Sequence, residues 1–274
     1  MALTDQGFPV AEIDTSRPHP ARMYDYYLGG KDNYAVDRDA AQRVIDLVPD
    51  IVPMAQANRA FMHRAVRFLA ESGIRQIIDI GTGIPTAPNT HQVAHEVSPD
   101  VRIAYVDNDP IVATHAGAYL LDSGNTGFLL GDLREPESIL GHPTIDKLID
   151  FDQPVGLMLV AILHFVRDDE DPAGLVAAYR DALPKGSYLV LSHGTNDFHR
   201  TNPGSSQARD VYRDRGATAT LNLRSHDEVL GFFGDLDLVD PGLVQPPLWR
   251  PDAAQPTGEE LAHIGFYSGV GIKR

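Results

Sequence analysis

Acidic residues stand at the ends of three apolar segments in the first half of the chain. Asp79 lies in the segment IIDIGTG, Asp107 ends the segment YVD, and Asp132 lies in GDLRE. A glycine-containing turn after a strand lets the backbone approach a nucleotide-like ligand, and a carboxylate after the next strand commonly accepts hydrogen bonds from ribose hydroxyls. We therefore expect the three carboxylates to meet in one crevice that binds a nucleoside.

The glycine turn indicates which kind of nucleoside binds. Gly81-Thr82-Gly83 has the first two glycines of a dinucleotide turn, but Thr86 takes the position of the third. The pyrophosphate of a dinucleotide therefore lacks its usual cradle. An acid followed by Gly-x-Gly, as found after Asp79, resembles instead the turn that leaves room for the amino acid part of S-adenosylmethionine (SAM). The alternative is an ordinary tight turn between a strand and a helix.

The residues after the second and third segments extend this interpretation. We expect Asp107 to bind the ribose and Asn108 to lie beside the adenine. By resemblance to SAM enzymes, Asp132 accepts a hydrogen bond from the adenine amino group, and the backbone N–H of Leu133 meets a ring nitrogen. Alternatively, these acids only cap the helices that follow. Three weak signals at neighbouring strand ends are more specific together than singly, because ligands of open α/β sheets bind there.

Strands and helices are predicted to alternate from residue 75 onward. Five apolar segments that do not alternate in polarity predict strands at 75–80, 101–107, 127–132, 154–162 and 187–193. Two terminal strands, at 236–244 and 264–272, are predicted to close the chain without a helix between them. Such segments predict a parallel sheet buried on both faces, ending in an antiparallel pair. The expected fold is α/β: a Rossmann-like class I methyltransferase fold with a seven-stranded, mostly parallel sheet, helices on both faces and a helical N-terminal extension.

The residues before the first strand predict a helical cover. Residues 53–71 have the apolar spacing of a helix, and residues 24–34 combine aromatic, charged and glycine residues. A segment of this kind before a Rossmann-like core commonly folds over the cofactor as a lid. The residues that we expect to reach the site are Tyr24, as a catalytic group, and Tyr27, Gly30, Lys31 and Asn33, as cofactor-binding groups. Alternatively, the tyrosines face the core of a short amphipathic helix.

Methyl transfer from SAM needs little acid–base chemistry. A methyl sulfonium is already electrophilic, so transfer depends mainly on alignment of the acceptor and exclusion of water. The fourth strand ends near Ala161, which we expect at the cofactor, and His164 follows at the mouth of the crevice. The pKa range of histidine suits a general base, so we expect His164 to be catalytic, with a structural contact as the alternative. His91 and His95 have a metal-chelating spacing, but no third ligand is evident, and we expect no metal.

Composition limits the classes of function. The chain has 23 Lys and Arg against 38 Asp and Glu, which gives a net charge of −15 and a sequence pI near 5.0. This charge opposes nucleic-acid binding, so a small-molecule acceptor is favoured. The absence of cysteine excludes disulfides and cysteine-ligated zinc. No apolar run approaches the ~20 residues that cross a bilayer and no signal peptide is evident, so we expect a cytoplasmic protein without a membrane partner.

Several stretches of sequence carry a resemblance to a known family. They are ARMYDYYLGGKDNYAVDR, DIGTGIPT, NTH, VDNDP, GDLR, LHF with DDEDP, and YRDALPKGSYLVLSH. Together they run through essentially the whole chain and resemble a family of SAM-dependent methyltransferases that was long catalogued as a domain of unknown function. The resemblance implies a class I methyltransferase fold and SAM binding at the loops named above. It implies no known acceptor, because the family is not defined by one.

The sequence therefore predicts a bacterial SAM-dependent methyltransferase that acts on a small molecule. Residues 1–72 are expected to form an arm and helical lid, and residues 73–274 a class I methyltransferase core. One alternative is a non-catalytic sensor or partner protein that binds SAM or another nucleoside, because no residue is chemically obligatory for methyl transfer. An NAD(P)-dependent oxidoreductase fits less well, because Thr86 replaces the third glycine.

Overall fold

The computed structural model describes residues 14–119, 124–198, 211 and 220–274, and helices alternate with strands through most of them. The helices are α1 (Pro20–Tyr27), α2 (Ala35–Leu47), α3 (Ile51–Glu71), α4 (Thr90–Val97), α5 (Pro110–Tyr119), α6 (Pro136–Leu140), α7 (Pro143–Leu148), α8 (Pro172–Ala182), α9 (His226–Gly231) and α10 (Gly258–Ala262). The strands are β1 (Gln76–Ile80), β2 (Arg102–Asp107), β3 (Thr126–Leu130), β4 (Gly156–Val160), β5 (Tyr188–Gly194), β6 (Asp237–Leu238) and β7 (Phe266–Ile272). Short 3₁₀ turns lie at Leu163–Phe165, Asp168–Glu170 and Pro246–Leu248.

The seven strands of the described residues form one sheet in the order β3-β2-β1-β4-β5-β7-β6. Strands β1 to β5 run parallel to their neighbours, and β7 runs antiparallel between β5 and β6. The predicted α/β fold with a mostly parallel sheet is confirmed. The carboxyl ends of β1 to β5 therefore lie along one edge, which we call the carboxyl edge. Because β7 is antiparallel, its first residue, Phe266, pairs with Gly194 at that same edge.

Helices cover both faces of the sheet, as the apolar strands require. Strand β1 is buried along its whole length, so its successive side chains enter two different cores. Ile77 belongs to a buried cluster with Phe61 and Leu69 of α3. Ile78 belongs to the cluster on the opposite face, which contains Val176 of α8. Continuous apolar strands are thus explained by burial on both sides.

The N-terminal helices meet at the carboxyl edge. Met23 of α1, Val44 of α2 and Met54 of α3 share one buried cluster with Phe266. Since Phe266 lies at the carboxyl edge, α1, α2 and the first turns of α3 cover this edge, while the rest of α3 packs on the sheet. None of the described helices combines the length and the apolar character that crossing a membrane requires.

The end of the chain differs from the predicted pair of strands. The strand expected at 236–244 is only two residues long, because Pro241 lacks an N–H to donate and Gly242 has a positive φ of 89°. A helix, α10, also lies between the two terminal strands. Its N-cap residue is Thr257, whose hydroxyl accepts a hydrogen bond from the N–H of Glu260. The sequence also predicts a helix near 205–216, and most of these residues lie outside the part of the chain that the structure describes.

Candidate active site at the carboxyl edge

A cavity of about 220 Å³ lies at the carboxyl edge, between the sheet and helices α1 to α3. Its wall combines the loops after β1 to β5 with residues of those three helices. The residues expected at the site that line this cavity are Tyr24, Tyr27, Asp79, Gly81, Thr82, Gly83, Asp107, Asn108, Asp132, Leu133, Ala161 and His164. Gly30, Lys31 and Asn33 are not among the lining residues. Residues that are far apart in the sequence are therefore brought to one opening.

The glycine turn after β1 is fixed to β2 and open on its other side. The N–H groups of Gly81 and Thr82 donate to the carbonyl oxygen of Val106 at 2.8 and 3.1 Å. Gly81 and Gly83 have positive φ values of 78° and 70°, a region that glycine adopts without strain. A Cβ on Gly81 would meet Ile162 at 2.8 Å, whereas a Cβ on Gly83 would meet nothing within 4 Å. Gly83 therefore leaves space into which a ligand can come close to the backbone.

Asp107 is a buried carboxylate on the wall of the cavity. Its Oδ2 accepts a hydrogen bond from the N–H of Gly83 at 2.7 Å, and its Oδ1 accepts one from the N–H of Asp109 at 2.9 Å. Burial raises the pKa of Asp107 to about 6, although these backbone donors oppose the shift. A carboxylate offers about four acceptor positions. Asp107 therefore keeps acceptor capacity for hydroxyl groups of a ligand.

The carboxylate of Asp79 lies in the field of the Arg59 guanidinium, on α3. Its Oδ2 accepts a hydrogen bond from the hydroxyl of Thr90 at 2.6 Å. Burial raises the pKa of Asp79, while Thr90 and the positive charge of Arg59 lower it. Arg59, on α3, also lines the cavity and donates to the carbonyl oxygens of Thr86 and Pro88. The β1 end of the cavity thus holds an acid and a guanidinium close together.

Asp132 lies at the end of β3 with an unusually dense set of donors. It accepts hydrogen bonds from Asn108 Nδ2 at 3.0 Å and from the N–H of Arg134 at 2.9 Å. Burial alone raises the pKa of Asp132, but these donors and the charge of Arg134 outweigh it and hold the pKa below its usual value. The next residue, Leu133, accepts a hydrogen bond at its carbonyl oxygen from the hydroxyl of Tyr179 at 2.9 Å. Asp132 is therefore an ionised acceptor on a fixed loop.

His164 lines the cavity beyond the end of β4 and is 4% exposed. Its Nδ1 accepts a hydrogen bond from the N–H of Gly194 at 3.3 Å. Burial, with the neighbouring His193 and Arg224, holds the pKa of His164 well below its usual value. The imidazole is therefore neutral at pH 7. Because Nδ1 accepts, the ring carries its proton on Nε2.

A chain of hydrogen bonds joins α1 to the end of β4. The hydroxyl of Tyr24 donates to the carbonyl oxygen of Ala55 at 3.0 Å and accepts from Asn58 Nδ2 at 2.9 Å. Asn58 Oδ1 accepts from the hydroxyl of Ser192 at 2.5 Å, and Ser192 Oγ accepts from the N–H of Ala161 at 3.0 Å. Ala161 has a positive φ of 54°, a conformation that costs about 1–2 kcal/mol for a residue with a Cβ. The network holds this strained residue at the cavity wall.

Gly29 and Gly30, which follow α1, lie in a turn beside Asp25, whose carbonyl oxygen accepts a hydrogen bond from the N–H of Gly30. A Cβ on Gly30 would collide with the carboxylate of Asp25. Asn33 donates to that carboxylate at 2.7 Å, and its own carbonyl oxygen accepts from Arg38 at 2.6 Å. Lys31 is exposed. These contacts give Gly30 and Asn33 a local reason for their identity, and the expected cofactor contacts of Gly30, Lys31 and Asn33 gain no support from them.

A buried ionic cluster joins helices α1 and α2 to the wall of the cavity. Arg22 of α1 is 2% exposed, and its guanidinium lies 3.4 Å from Asp37 of α2 and 3.4 Å from Asp109, which follows β2. Asp109 also lies 3.0 Å from Nδ1 of His19. Breaking one partner of a buried pair is strongly destabilising. Helices α1 and α2 are therefore anchored beside the glycine turn and Asp107.

The sequence model of the S-adenosyl methyltransferase family matches residues 7–274. The chain belongs to this family. It is therefore a SAM-dependent methyltransferase, and SAM is its cofactor. No curated protein matches the sequence.

Solved structures agree with membership of the S-adenosyl methyltransferase family. A DUF574 family protein from Streptomyces avermitilis MA-4680 is 42% identical, with 96% of this chain and 100% of that chain covered and a TM-score of 0.91. A protein from Thermobifida fusca YX is 39% identical, with 97% and 99% covered and a TM-score of 0.89. An O-methyltransferase family protein from Burkholderia thailandensis is only 14% identical, with 96% and 67% covered and a TM-score of 0.52, and shows the shared fold alone.

The chemistry of the cavity is compatible with SAM. The open space at Gly83 gives the cofactor access to the backbone. The carboxylate of Asp107 keeps acceptor positions for the hydroxyl groups of adenosine. The carboxylate of Asp132 also lines the cavity, and it would accept from the adenine amino group in exchange for one of its present donors, Asn108 or Arg134. Arg59 and Asp79 offer opposite charges for the α-carboxylate and α-ammonium groups of the methionine part. The donor and acceptor set therefore matches the polar groups of this family's cofactor.

Sequence reasoning missed Arg59 and Asn58, both on α3. Asn58 is 1% exposed and lies between Ala55 and Met62 on the buried face of the helix. A polar residue at a position of the apolar helical spacing is the signal that points to Asn58. Arg59 carries no comparable signal, because it follows Asn58 at the edge of that face and reads as an ordinary surface arginine.

Proposed function

We propose that this methyltransferase transfers the methyl group of SAM to a small molecule bound in the same cavity. The observation that carries the proposal is the continuity of the cavity. It runs from the three acids at the carboxyl ends of β1, β2 and β3 to the residues after β4 and β5, beneath α1 to α3. An acceptor next to the cofactor under this cover is enclosed, which favours a compact molecule over a polymer.

We assign the cofactor contacts to the residues after β1, β2 and β3. Asp107 is the acceptor for the ribose hydroxyls, and Asp132 the acceptor for the adenine amino group beside Asn108. Arg59 and Asp79 take the charged groups of the methionine part. When bound, the cofactor would supply an electrophilic methyl group: a lone pair of the acceptor would form the new bond to this carbon, and the electron pair of the broken carbon–sulfur bond would stay on sulfur.

The chain's own contribution is to orient the acceptor and exclude water. Residues 1–72 act as a lid, because α1 and α2 cover the carboxyl edge and are anchored by the ionic cluster around Arg22. Tyr24 acts through the network that holds Ala161 at the end of β4. His164 faces the same cavity from the loop after β4. Residues 73–274 form the core that carries Ala161 and His164, and the rest of α3 packs on its sheet.

Turnover with fractionated cell extract tests the proposal. We expect S-adenosylhomocysteine (SAH) to form when the protein and SAM are incubated with the part of a bacterial extract that passes an ultrafiltration membrane. The Asp107→Ala variant is the matched control and should form much less SAH, because it loses the ribose acceptor. Activity only with the retained macromolecules would contradict a small acceptor. SAH binding without turnover in either fraction would favour the sensor alternative.

A further inference from the structure

The cavity has two chemically different sides. The carboxyl ends of β1, β2 and β3 bring the acids Asp79, Asp107 and Asp132. Arg134 lines the cavity beside them, and Arg59 joins them from α3. In the strand order β3-β2-β1-β4-β5, the segments after β4 and β5 lie on the other side. Thr195 and Asn196 also line the cavity there, but most of the lining is apolar, and its main apolar residues are Tyr27, Val44, Val48, Ile51, Met54 and Phe266. We call these six residues the apolar side.

The apolar side is one packed surface. All six residues belong to, or pack against, the same hydrophobic cluster of α1, α2, α3 and β7. Among the described residues that line the cavity next to them, after β4 and β5, none is Asp, Glu, Lys or Arg. Burying a charge without a partner is strongly unfavourable. Arg134 lines the cavity from the β3 side and donates to the carbonyl oxygen of Phe165, but its guanidinium is already paired with Asp132 and Glu170. A charged acceptor would therefore lose its hydration here and gain no unpaired counter-ion from the described residues.

His164 supplies a polar group at the apolar side. Its Nδ1 accepts from the N–H of Gly194, so the neutral ring presents Nε2–H. No described residue accepts a hydrogen bond from Nε2, and this nitrogen is not among the side-chain atoms that are both buried and unpartnered. It therefore remains accessible to a ligand. A ring that presents N–H offers a donor, whereas the general base expected from the sequence needs a free lone pair.

We propose that the methyl acceptor is an uncharged, largely apolar molecule with a hydroxyl or carbonyl oxygen, which accepts a hydrogen bond from His164 Nε2–H. The molecule lies against the apolar side. This inference rests on the proposed function, since it describes the acceptor of that same cavity. It assigns selectivity to two features, the lack of an unpaired counter-charge among the described residues of this side and the N–H donor of His164.

Three matched probes test the charge preference. They are 2-naphthol, 2-naphthoate and 2-naphthylmethylammonium, which at neutral pH are neutral, anionic and cationic with the same rings. Binding to the SAH-loaded protein is measured by calorimetry. We expect 2-naphthol to bind at least about tenfold more tightly than either ion. A smaller ratio, or no binding of 2-naphthol, overturns the proposal.

A substitution at the start of α3 tests the location. Ile51 is the first residue of α3, where an aspartate suits the helix dipole and does not oppose folding. Ile51→Asp should weaken 2-naphthol binding at least about tenfold and make the ammonium probe the preferred one. Ile51→Asn is the uncharged control and should not favour the ammonium. Unchanged probe preferences in a folded Ile51→Asp protein overturn the proposal.

The donor is tested by the contribution of the ligand hydroxyl. The ratio of the affinities for 2-naphthol and naphthalene isolates this group from the rings. In His164→Phe the ratio should fall towards one while naphthalene still binds, whereas a purely structural loss would weaken both ligands equally. An unchanged ratio removes His164 from the recognition of oxygen.

SAH binding separates this inference from the proposed function. SAH is titrated first into the wild type and into both Ile51 variants, and equal affinities are expected because the cofactor contacts are assigned to the carboxyl ends of β1 to β3 and to Arg59, and Ile51 is not among them. Failure of SAH to bind the wild type contradicts the proposed function itself. Normal SAH binding with the wrong probe preference contradicts only the acceptor class.

Discussion

Lowering the pH should weaken SAH binding through Asp107. Burial raises the pKa of this carboxyl group to about 6, and ribose hydroxyls donate more strongly to its ionised form. The ligand therefore stabilises the ionised form, and the dissociation constant rises as the pH falls through about 6. With this pKa, the ionised fraction falls from about nine-tenths at pH 7 to about one-tenth at pH 5, which predicts about a tenfold loss of affinity.

Titration calorimetry with SAH at pH 7 and pH 5 measures this change. Asp107→Asn, which does not titrate, should bind SAH more weakly at pH 7 and lose the part of the pH dependence that Asp107 causes. The variant also corrects for other groups, such as Asp79, whose pKa is likewise raised by burial. The same pH dependence in both proteins would refute the assignment of Asp107 to the ribose.

Three further predictions concern the turn, the cation and the cover of the cavity. Arg59→Met should weaken SAH binding about tenfold or more but leave the affinity for 5′-methylthioadenosine, which lacks the amino acid part, unchanged; equal losses for both ligands would indicate a structural role. Gly83→Val should weaken SAH binding. The control is Gly73→Val, which carries similar backbone strain because Gly73 has a φ of 90°, but lies in open space outside the cavity and should bind SAH normally. Hydrogen exchange should show that SAH protects residues 20–36; equal exchange with and without SAH would contradict a closing lid.

The fold could be predicted because its strongest signals are local. Apolar segments without alternating polarity predicted the five parallel strands, and β1 shows why, since its neighbours Ile77 and Ile78 enter different cores. The short β6 was harder to foresee. Its length depends on Pro241 and Gly242, which interrupt a segment whose apolar residues read as a longer strand.

The candidate site was predictable only in part. Asp79 and Asp107 lie at the ends of strands, and Asp132 lies just beyond one. The carboxyl ends of parallel strands must meet at one edge, so the convergence of these acids follows from the fold class. Arg59 and Asn58 reach the cavity from α3, and nothing local in the sequence says where that helix packs. The state of His164 depends on the N–H of Gly194, on the neighbouring strand. Contacts between distant segments of this kind decide which nitrogen of a histidine carries the proton.

A crystal structure of the protein with SAH tests the central claim most directly. The account predicts density for SAH in the cavity at the carboxyl edge, with the ribose hydroxyls on Asp107 and the adenine amino group on Asp132. It also predicts the carboxylate of the ligand beside Arg59. SAH bound elsewhere, or bound in this cavity with the adenine against Tyr27 and Phe266, would contradict it.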